Sequence, residues 1–224
     1  GNYKTAEPGV IFWSTMSKYS PSNYVGKPII CTNPCAEVPL EDGGACNLGS
    51  LNLSRFVENG YESTAKINWD QLAESTAVLT RFLDNVVTWN EDLNALEKQR
   101  TAARETRRLG LGIMGVADML NQLSIGYDSE EGLQTITKVM EFITNAAYQA
   151  SASLAGEKGA SPIYTEEDYM ECPFIEMALS HETQALIREN GIRNIAIMSI
   201  APTGSISNIV KGFEIGEKNY IGVS

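Results

Sequence analysis

The spacing of apolar positions changes along the chain, and each change predicts a different kind of element. Residues 1–66 hold short apolar runs between turn signals: 9–13 after Pro8, 27–32, and a loosely alternating run at 48–56. These predict extended segments, with a loop rich in Pro, Gly and acid between the last two. From Asn68 the spacing becomes helical, because Leu72, Val78, Leu79, Phe82, Leu83, Val86 and Val87 recur at intervals of three and four. Asn68 is placed to cap and Asp70 falls in the first turn, so one helix is predicted over 68–90. A second helical stretch starts near Leu93 and carries Glu97, Lys98, Arg100, Arg104, Glu105, Arg107 and Arg108 before turning apolar and glycine-rich at Leu109. A third, over 129–157, has Leu133, Ile136, Val139, Met140, Ile143, Ala147 and Leu154 as its inward stripe, with Gly159 beyond its end. A shorter acidic amphipathic stretch at 172–190 ends at Asn190 and Gly191. Residues 193–199 then form a compact apolar run suited to a buried parallel strand, followed by a loop and a helix start. There is no internal repeat, low-complexity tract or interdomain linker. The expectation is a single helix-rich α/β unit over 1–224, with strands and loop at 1–66, helices at 67–190, a strand and helix start at 191–210, and a remaining end at 211–224.

Composition narrows the function classes. Two hundred and twenty-four residues can bury a substantial core, and 43% hydrophobic against 20% charged residues is ordinary for a globular chain. The 17 Lys+Arg against 28 Asp+Glu leave a net charge of -11, which argues against gripping a nucleic-acid backbone, since each phosphate contact needs a cation. A small anionic ligand in a local pocket stays open. Four cysteines (Cys31, Cys35, Cys46, Cys172) are too few for a disulfide scaffold and suit a reducing, cytoplasmic setting. No signal pattern opens the chain and no apolar run reaches the ~20 residues of a membrane helix. The absent initiator Met and abrupt end read as an excised piece of a longer polypeptide.

Three patterns could carry chemistry. GLGIMG at 110–115 matches G-x-G-x-x-G, but the preceding TAARETRR at 101–108 is strongly helix-forming and no β-run leads in. Small residues within a packed helix are expected there, with a nicotinamide-binding enzyme as the alternative. At 200–209, Thr203, Gly204, Ser205, Ile206 and Ser207 open a helix after a strand and a Pro, presenting backbone N–H groups and hydroxyls together. Phosphate binding and an ordinary Ser/Thr-capped helix are both open on this pattern. The densest cluster runs from Cys31 through Asn33, Cys35 and Glu37 to Cys46, which glycines flank. Asn33, Cys35 and Glu37 alternate, so in an extended loop they project to one side. A thiol, a carboxylate and an amide together can perform radical or nucleophilic chemistry with an acid/base and an anchor. A zinc-stabilised cysteine-containing helical module is the non-enzymatic alternative, although the single C-x₃-C lacks a matching second pair. His181 lies in an acidic amphipathic stretch and reads as a surface residue.

TNPCAE at 32–37, ACNLGSLNL at 45–53, RRLGLGIMGVAD at 107–118 and APTGSIS at 201–207, in that order, resemble the catalytic subunit of ribonucleotide reductase, most closely its adenosylcobalamin-dependent branch. The resemblance implies a ten-stranded α/β barrel of two five-stranded parallel halves, of which this chain is a central fragment, with a finger loop up the middle. It implies that Cys35 is the thiyl-radical residue taking the 3′ hydrogen of a ribonucleotide. Glu37 would accept the 3′-hydroxyl proton, Asn33 would hydrogen-bond the substrate, and Cys46 would be one thiol of the pair that reduces the 2′ carbon and leaves as a disulfide. Thr203, Gly204, Ser205, Ile206 and Ser207 would hold the substrate phosphates, and the glycines at 110–115 would fall on a helix. The implied cofactor is adenosylcobalamin, or otherwise a radical from a separate metal-containing subunit. Implied partners are the rest of the catalytic chain, a thioredoxin-type reductant and a second copy of the parent, the product being deoxyribonucleotides for DNA replication. Against the family pattern, residues 211–220 look like a short insertion before a truncated end at 224, and neither Cys31 nor Cys172 matches the second reducing thiol, which is expected upstream, so the fragment alone is expected to be inactive.

Overall fold

In the computed structural model, residues 1–6, 9–45, 47–215 and 218–221 are described. Short helices Asn2–Thr5 (α1), Trp13–Tyr19 (α2) and Pro21–Tyr24 (α3) precede an antiparallel hairpin of Ile29–Thr32 (β1) and Pro39–Glu41 (β2). Strand Asn47–Asn52 (β3) follows, then a 3-10 turn at Leu53–Phe56 and the small antiparallel pair Val57–Glu58 (β4) and Lys66–Ile67 (β5). Next come helices Trp69–Asn90 (α4) and Glu97–Thr106 (α5), strand Leu109–Met114 (β6), and helices Val116–Gln122 (α6) and Glu130–Lys158 (α7). Helices Glu166–Met170 (α8), Pro173–Ala178 (α9), His181–Asn190 (α10) and Gly204–Ser207 (α11) are followed by a closing hairpin of Lys211–Ile215 (β7) and Lys218–Ile221 (β8).

The long helices form where apolar period and caps agree. Asn68 accepts a hydrogen bond from the Gln71 N–H (2.9 Å) at the start of α4, and Ser129 accepts from Gly132 (3.0 Å) at the start of α7. Gly159, at φ 89°, ends α7 in a conformation an L side chain rarely adopts. α4 packs Leu72, Leu83 and Val87 into the core, and α7 adds Val139, Ile143, Ala147 and Leu154. Leu133, Val78 and Phe82 point outward instead.

The centre of the fold is a parallel ladder. β3 pairs with β6 from Asn47↔Leu109 to Asn52↔Met114. On the other side of β6 lies segment 195–199, joined by a parallel bridge at Leu111↔Met198 and by hydrogen bonds from the N–H groups of Leu109, Leu111 and Ser199. All six residues of β6 are buried, as a central parallel strand requires. The run expected as a buried parallel strand at 193–199 is largely buried and lies parallel to β6, but it is held by a single bridge and backbone hydrogen bonds and is not a regular strand.

Three expectations are corrected. The glycine-rich 110–115 segment is a strand and its exit turn, not a helix. A Cβ on Gly112 would lie 2.2 Å from the Ser199 carbonyl oxygen, so glycine there lets segment 195–199 approach β6. Gly112 and Gly115 are thus both closed in by protein, Gly115 at the strand's exit by Asn52 and Ser54, and the nicotinamide alternative loses the open strand end that it needs. Residues 1–66 are not wholly extended, because 13–19 winds into α2, and 172–190 is two helices, not one. The expected insertion at 211–220 falls within the closing hairpin, apart from residues 216 and 217, which lie outside the described residues. Among the described residues no helix is long and apolar enough to cross a membrane.

Candidate active site

The cysteine cluster sits on the β1–β2 hairpin. The ladder pairs Ile29↔Glu41, Cys31↔Leu40 and Thr32↔Pro39, leaving residues 33–38 as the tip. Asn33 closes that tip: its N–H donates to the Val38 carbonyl (3.1 Å), its Oδ1 accepts from the Val38 N–H (3.0 Å), and its carbonyl accepts from Ala36 (3.0 Å). With Oδ1 engaged, the amide nitrogen of Asn33 is the end left to donate outward. Ala36 takes a positive φ of 66°, which bends the chain between Cys35 and Glu37.

Cys35 is an exposed free thiol at this tip. Glu37 is half-buried, and its Oε2 is fully enclosed with no hydrogen-bond partner among the described residues. An orphaned carboxylate oxygen is costly unless something supplies its partner, so the site is built to receive a donor. The Glu37 carbonyl accepts from Ser199 Oγ (3.4 Å), which docks the tip at the end of segment 195–199. Four residues later the chain reaches Thr203, at φ 55°, and then α11. Gly204, Ser205 and Ile206 are exposed, and as first-turn residues their N–H groups have no intrahelical acceptor. Space around Gly204 is open. Ser207 differs: it is buried, and its hydroxyl donates to the Gly204 carbonyl (3.0 Å), so it braces the turn. The tertiary fold thus brings Asn33, Cys35 and Glu37 to the strand end that leads into 203–206. Cys46, the proposed reducing thiol, lies outside the described residues.

Cys31 is exposed on β1 with its thiol 3.9 Å from the Leu40 carbonyl, while Cys172 is buried in the helical layer, where burial pushes its thiol pKa up. A buried protonated thiol behaves as a small apolar side chain. Among the described residues, which do not include Cys46, no three Cys, His, Asp or Glu side chains come together as a metal site. His181 is exposed at the first turn of α10, as expected.

Beneath the hairpin lie residues that sequence reasoning passed over. Arg107 and Arg108, read as the end of the second helical stretch, lie just beyond α5 and are 5% exposed each. Arg107 has φ 46°, and the two side chains diverge. Arg107 donates to Asp84 Oδ1 (2.9 Å) and Glu91 (2.8 Å), and Asp84 also receives Arg193 (2.8 Å) and Asn194 (3.0 Å). Burial by itself would raise the Asp84 pKa. The hydrogen bonds from Arg193, Arg107 and Asn194 and the Arg107 charge outweigh it, so the carboxyl ends below its ordinary value. The only signal in the sequence was the adjacent arginine pair abutting an apolar run.

The sequence profile of the ribonucleotide reductase barrel domain matches residues 1–216. The chain belongs to the ribonucleotide reductase family. A vitamin B12-dependent ribonucleoside-diphosphate reductase of Thermoplasma acidophilum is 41% identical over 207 residues, covering 92% of this chain and 24% of that protein. A namesake from Mycobacterium tuberculosis is 38% identical over 203 residues, covering 91% of this chain and 26% of its own. A ribonucleoside-diphosphate reductase subunit alpha of Chlamydia pneumoniae is 31% identical over 235 residues, covering 93% and 22% respectively. The chain spans about a quarter of the length of these curated relatives. The ribonucleotide reductase barrel supplies the context for the parallel ladder, which is open at the outer edge of β3 among the described residues.

Proposed function

We propose that this chain is the finger-loop and phosphate-turn portion of a reductase that converts ribonucleoside diphosphates to 2′-deoxyribonucleotides by thiyl-radical chemistry. The observation that carries the reading is the hairpin tip: an exposed thiol at Cys35, with the enclosed, unpartnered Glu37 carboxylate oxygen two residues on, docked on the strand that runs into 203–206. In the proposed cycle, the Cys35 thiyl takes the 3′ hydrogen, becoming a thiol and leaving a carbon radical on the ribose. The 3′-hydroxyl is then far more acidic, and Glu37 accepts its proton while the 2′-hydroxyl leaves as water. Cys46 and a second thiol outside this chain supply two electrons and two protons and end as a disulfide, one proton completing the departing water and the other going to the 2′ carbon; Glu37 returns its proton to the 3′ oxygen, and a thioredoxin-type reductant restores the thiols. Cys35 recovers its thiyl by returning a hydrogen to the 3′ carbon. Asn33 donates from its amide nitrogen to the substrate. Thr203, Gly204, Ser205 and Ile206 hold the phosphates through hydroxyls and N–H groups, with Ser207 bracing them, so no basic patch is needed on an acidic chain. Fixing the phosphates orients the ribose over the hairpin tip.

For the radical source, the higher identity to relatives named vitamin B12-dependent (38–41%, against 31% for the subunit alpha of Chlamydia pneumoniae) supports adenosylcobalamin over a separate metal-containing subunit. That group, when bound, supplies the radical that oxidises a thiol. This chain's own fit to it is a single feature, the exposed Cys35 thiol, and the corrin-holding surface is assigned to the remainder of the parent chain.

The reading is tested in the full-length reductase. Cys35→Ser is expected to abolish nucleotide reduction while nucleotide binding persists, and Glu37→Gln to lower kcat by about 10²–10⁴-fold, the range of general acid–base contributions. Turnover surviving Cys35→Ser would overturn it.

A further inference from the structure

The hairpin that carries Cys35 is poorly held by its own ladder. It has two short strands with a register irregularity between Ile29 and Cys31, and a lone two-stranded hairpin is marginal in water. Its apolar anchoring is sparse: Ile29 and Val38 are buried, but Ile30 is 56% exposed. At its base, however, Glu41 is 3% exposed and both carboxylate oxygens are engaged. Arg108 donates to Oε2 through Nε (3.1 Å) and Nη2 (2.6 Å), and Thr106 donates to Oε1 (2.7 Å). Arg108 Nη2 also donates to Ser22 Oγ (3.0 Å), which ties in α3. The next residue after Arg108 opens β6, the strand that carries segment 195–199.

We propose that the buried Glu41–Arg108 pair is a positioning device that sets the height of Cys35 relative to the phosphate turn. Glu41 lies six residues from Cys35 at the root of the hairpin, and Arg108 lies at the root of the strand that organises the turn, so the pair joins the two halves of the site below the chemistry. Neither side chain touches the substrate. Their contribution is to geometry, and a misplacement on the order of 1 Å at a reacting centre can lower rate by about 10²-fold. A charge–charge joint suits this purpose because it is directional, whereas apolar contact would let the hairpin slide.

The inference rests on the assignment of Cys35 proposed above, and the experiment separates the two. In the full-length reductase, Glu41→Gln keeps the side-chain shape and removes the charge. It is expected to lower kcat about 10–100-fold, with KM for the nucleotide changing less than about 3-fold. Arg108→Lys keeps the charge and loses the two-pronged geometry, and is expected to lower kcat less than Glu41→Gln does with the same unchanged KM; it carries the test if Glu41→Gln does not fold. Asp84→Asn, which breaks the neighbouring buried network away from the hairpin, serves as the control and should leave kcat within about 3-fold in the folded fraction. Unchanged kcat in the folded Glu41 and Arg108 variants, or equal kcat losses in these and Asp84→Asn, overturns the positioning role. In either event Cys35→Ser still abolishes turnover if the site assignment holds, and active Cys35→Ser enzyme overturns the assignment itself.

Discussion

The β1–β2 hairpin and strand β6 are built on opposite principles. β6 is buried at all six positions and bonded on both edges, so its place is over-determined by packing. The hairpin leaves Cys31 and Cys35 exposed, has a short irregular ladder, and is tied down by a few polar joints: Asn33 to Val38, Ser199 to Glu37, Glu41 to Arg108. The difference teaches where each kind of interaction belongs. Non-directional apolar burial supplies stability where no group need be exposed, while directional polar joints fix a segment whose tip is left open to solvent.

That contrast can be broken from either side. The largest expected effect on stability is at β6: Leu111→Ala, at a fully buried position, should cost about 2–5 kcal/mol, read as a fall in the denaturant midpoint. A loss below about 1 kcal/mol would mean that the ladder is not the stability centre. Next is Asp84, whose buried carboxylate is held by Arg107 and Arg193. Its folded pKa lies below the unfolded value, so its contribution is complete above roughly pH 4 and is lost as pH falls through the folded value. Asp84→Asn should therefore destabilise by about 3 kcal/mol near pH 7 and also flatten the acid limb of the stability curve, which unfolding measured between pH 2 and 7 would reveal. An unchanged acid limb would point to another carboxylate. The smallest effect is expected at the hairpin tip, where Cys35→Ser should leave stability within about 0.5 kcal/mol although it removes activity. A large loss there would show that the tip is structural after all.

Much of the helical layer was legible because its information is local. α4 and α7 follow from the three–four spacing of Leu72, Leu83, Val87, Val139, Ile143 and Ala147, and their ends from Asn68, Ser129 and Gly159, which satisfy or terminate the backbone wherever the helix docks. β6 was misread because Leu109–Met114 alternates leucine with glycine after a charged helix, and glycine's local preference says nothing for a strand. What makes it one is pairing with β3, over sixty residues upstream, and with 195–199, over eighty downstream. The candidate site was legible as motif, in Asn33, Cys35, Glu37 and 203–207, but not as geometry: the contact of Ser199 with Glu37 joins residues 162 positions apart, and the enclosed, partner-less oxygen of Glu37 is a feature of the folded chain.

By itself, then, the sequence determined the helix-rich α/β character, the long helices and the chemically capable residues, since propensity, period and motif act over a few neighbouring positions. Only the tertiary structure decided that a glycine-rich run is the central strand and that two arginines in a charged run are buried joints. It also decided that Glu41, at the base of the β1–β2 hairpin, is buried against Arg108. These outcomes depend on which distant backbone and which opposite charge the fold brings into contact, and no local pattern carries that information.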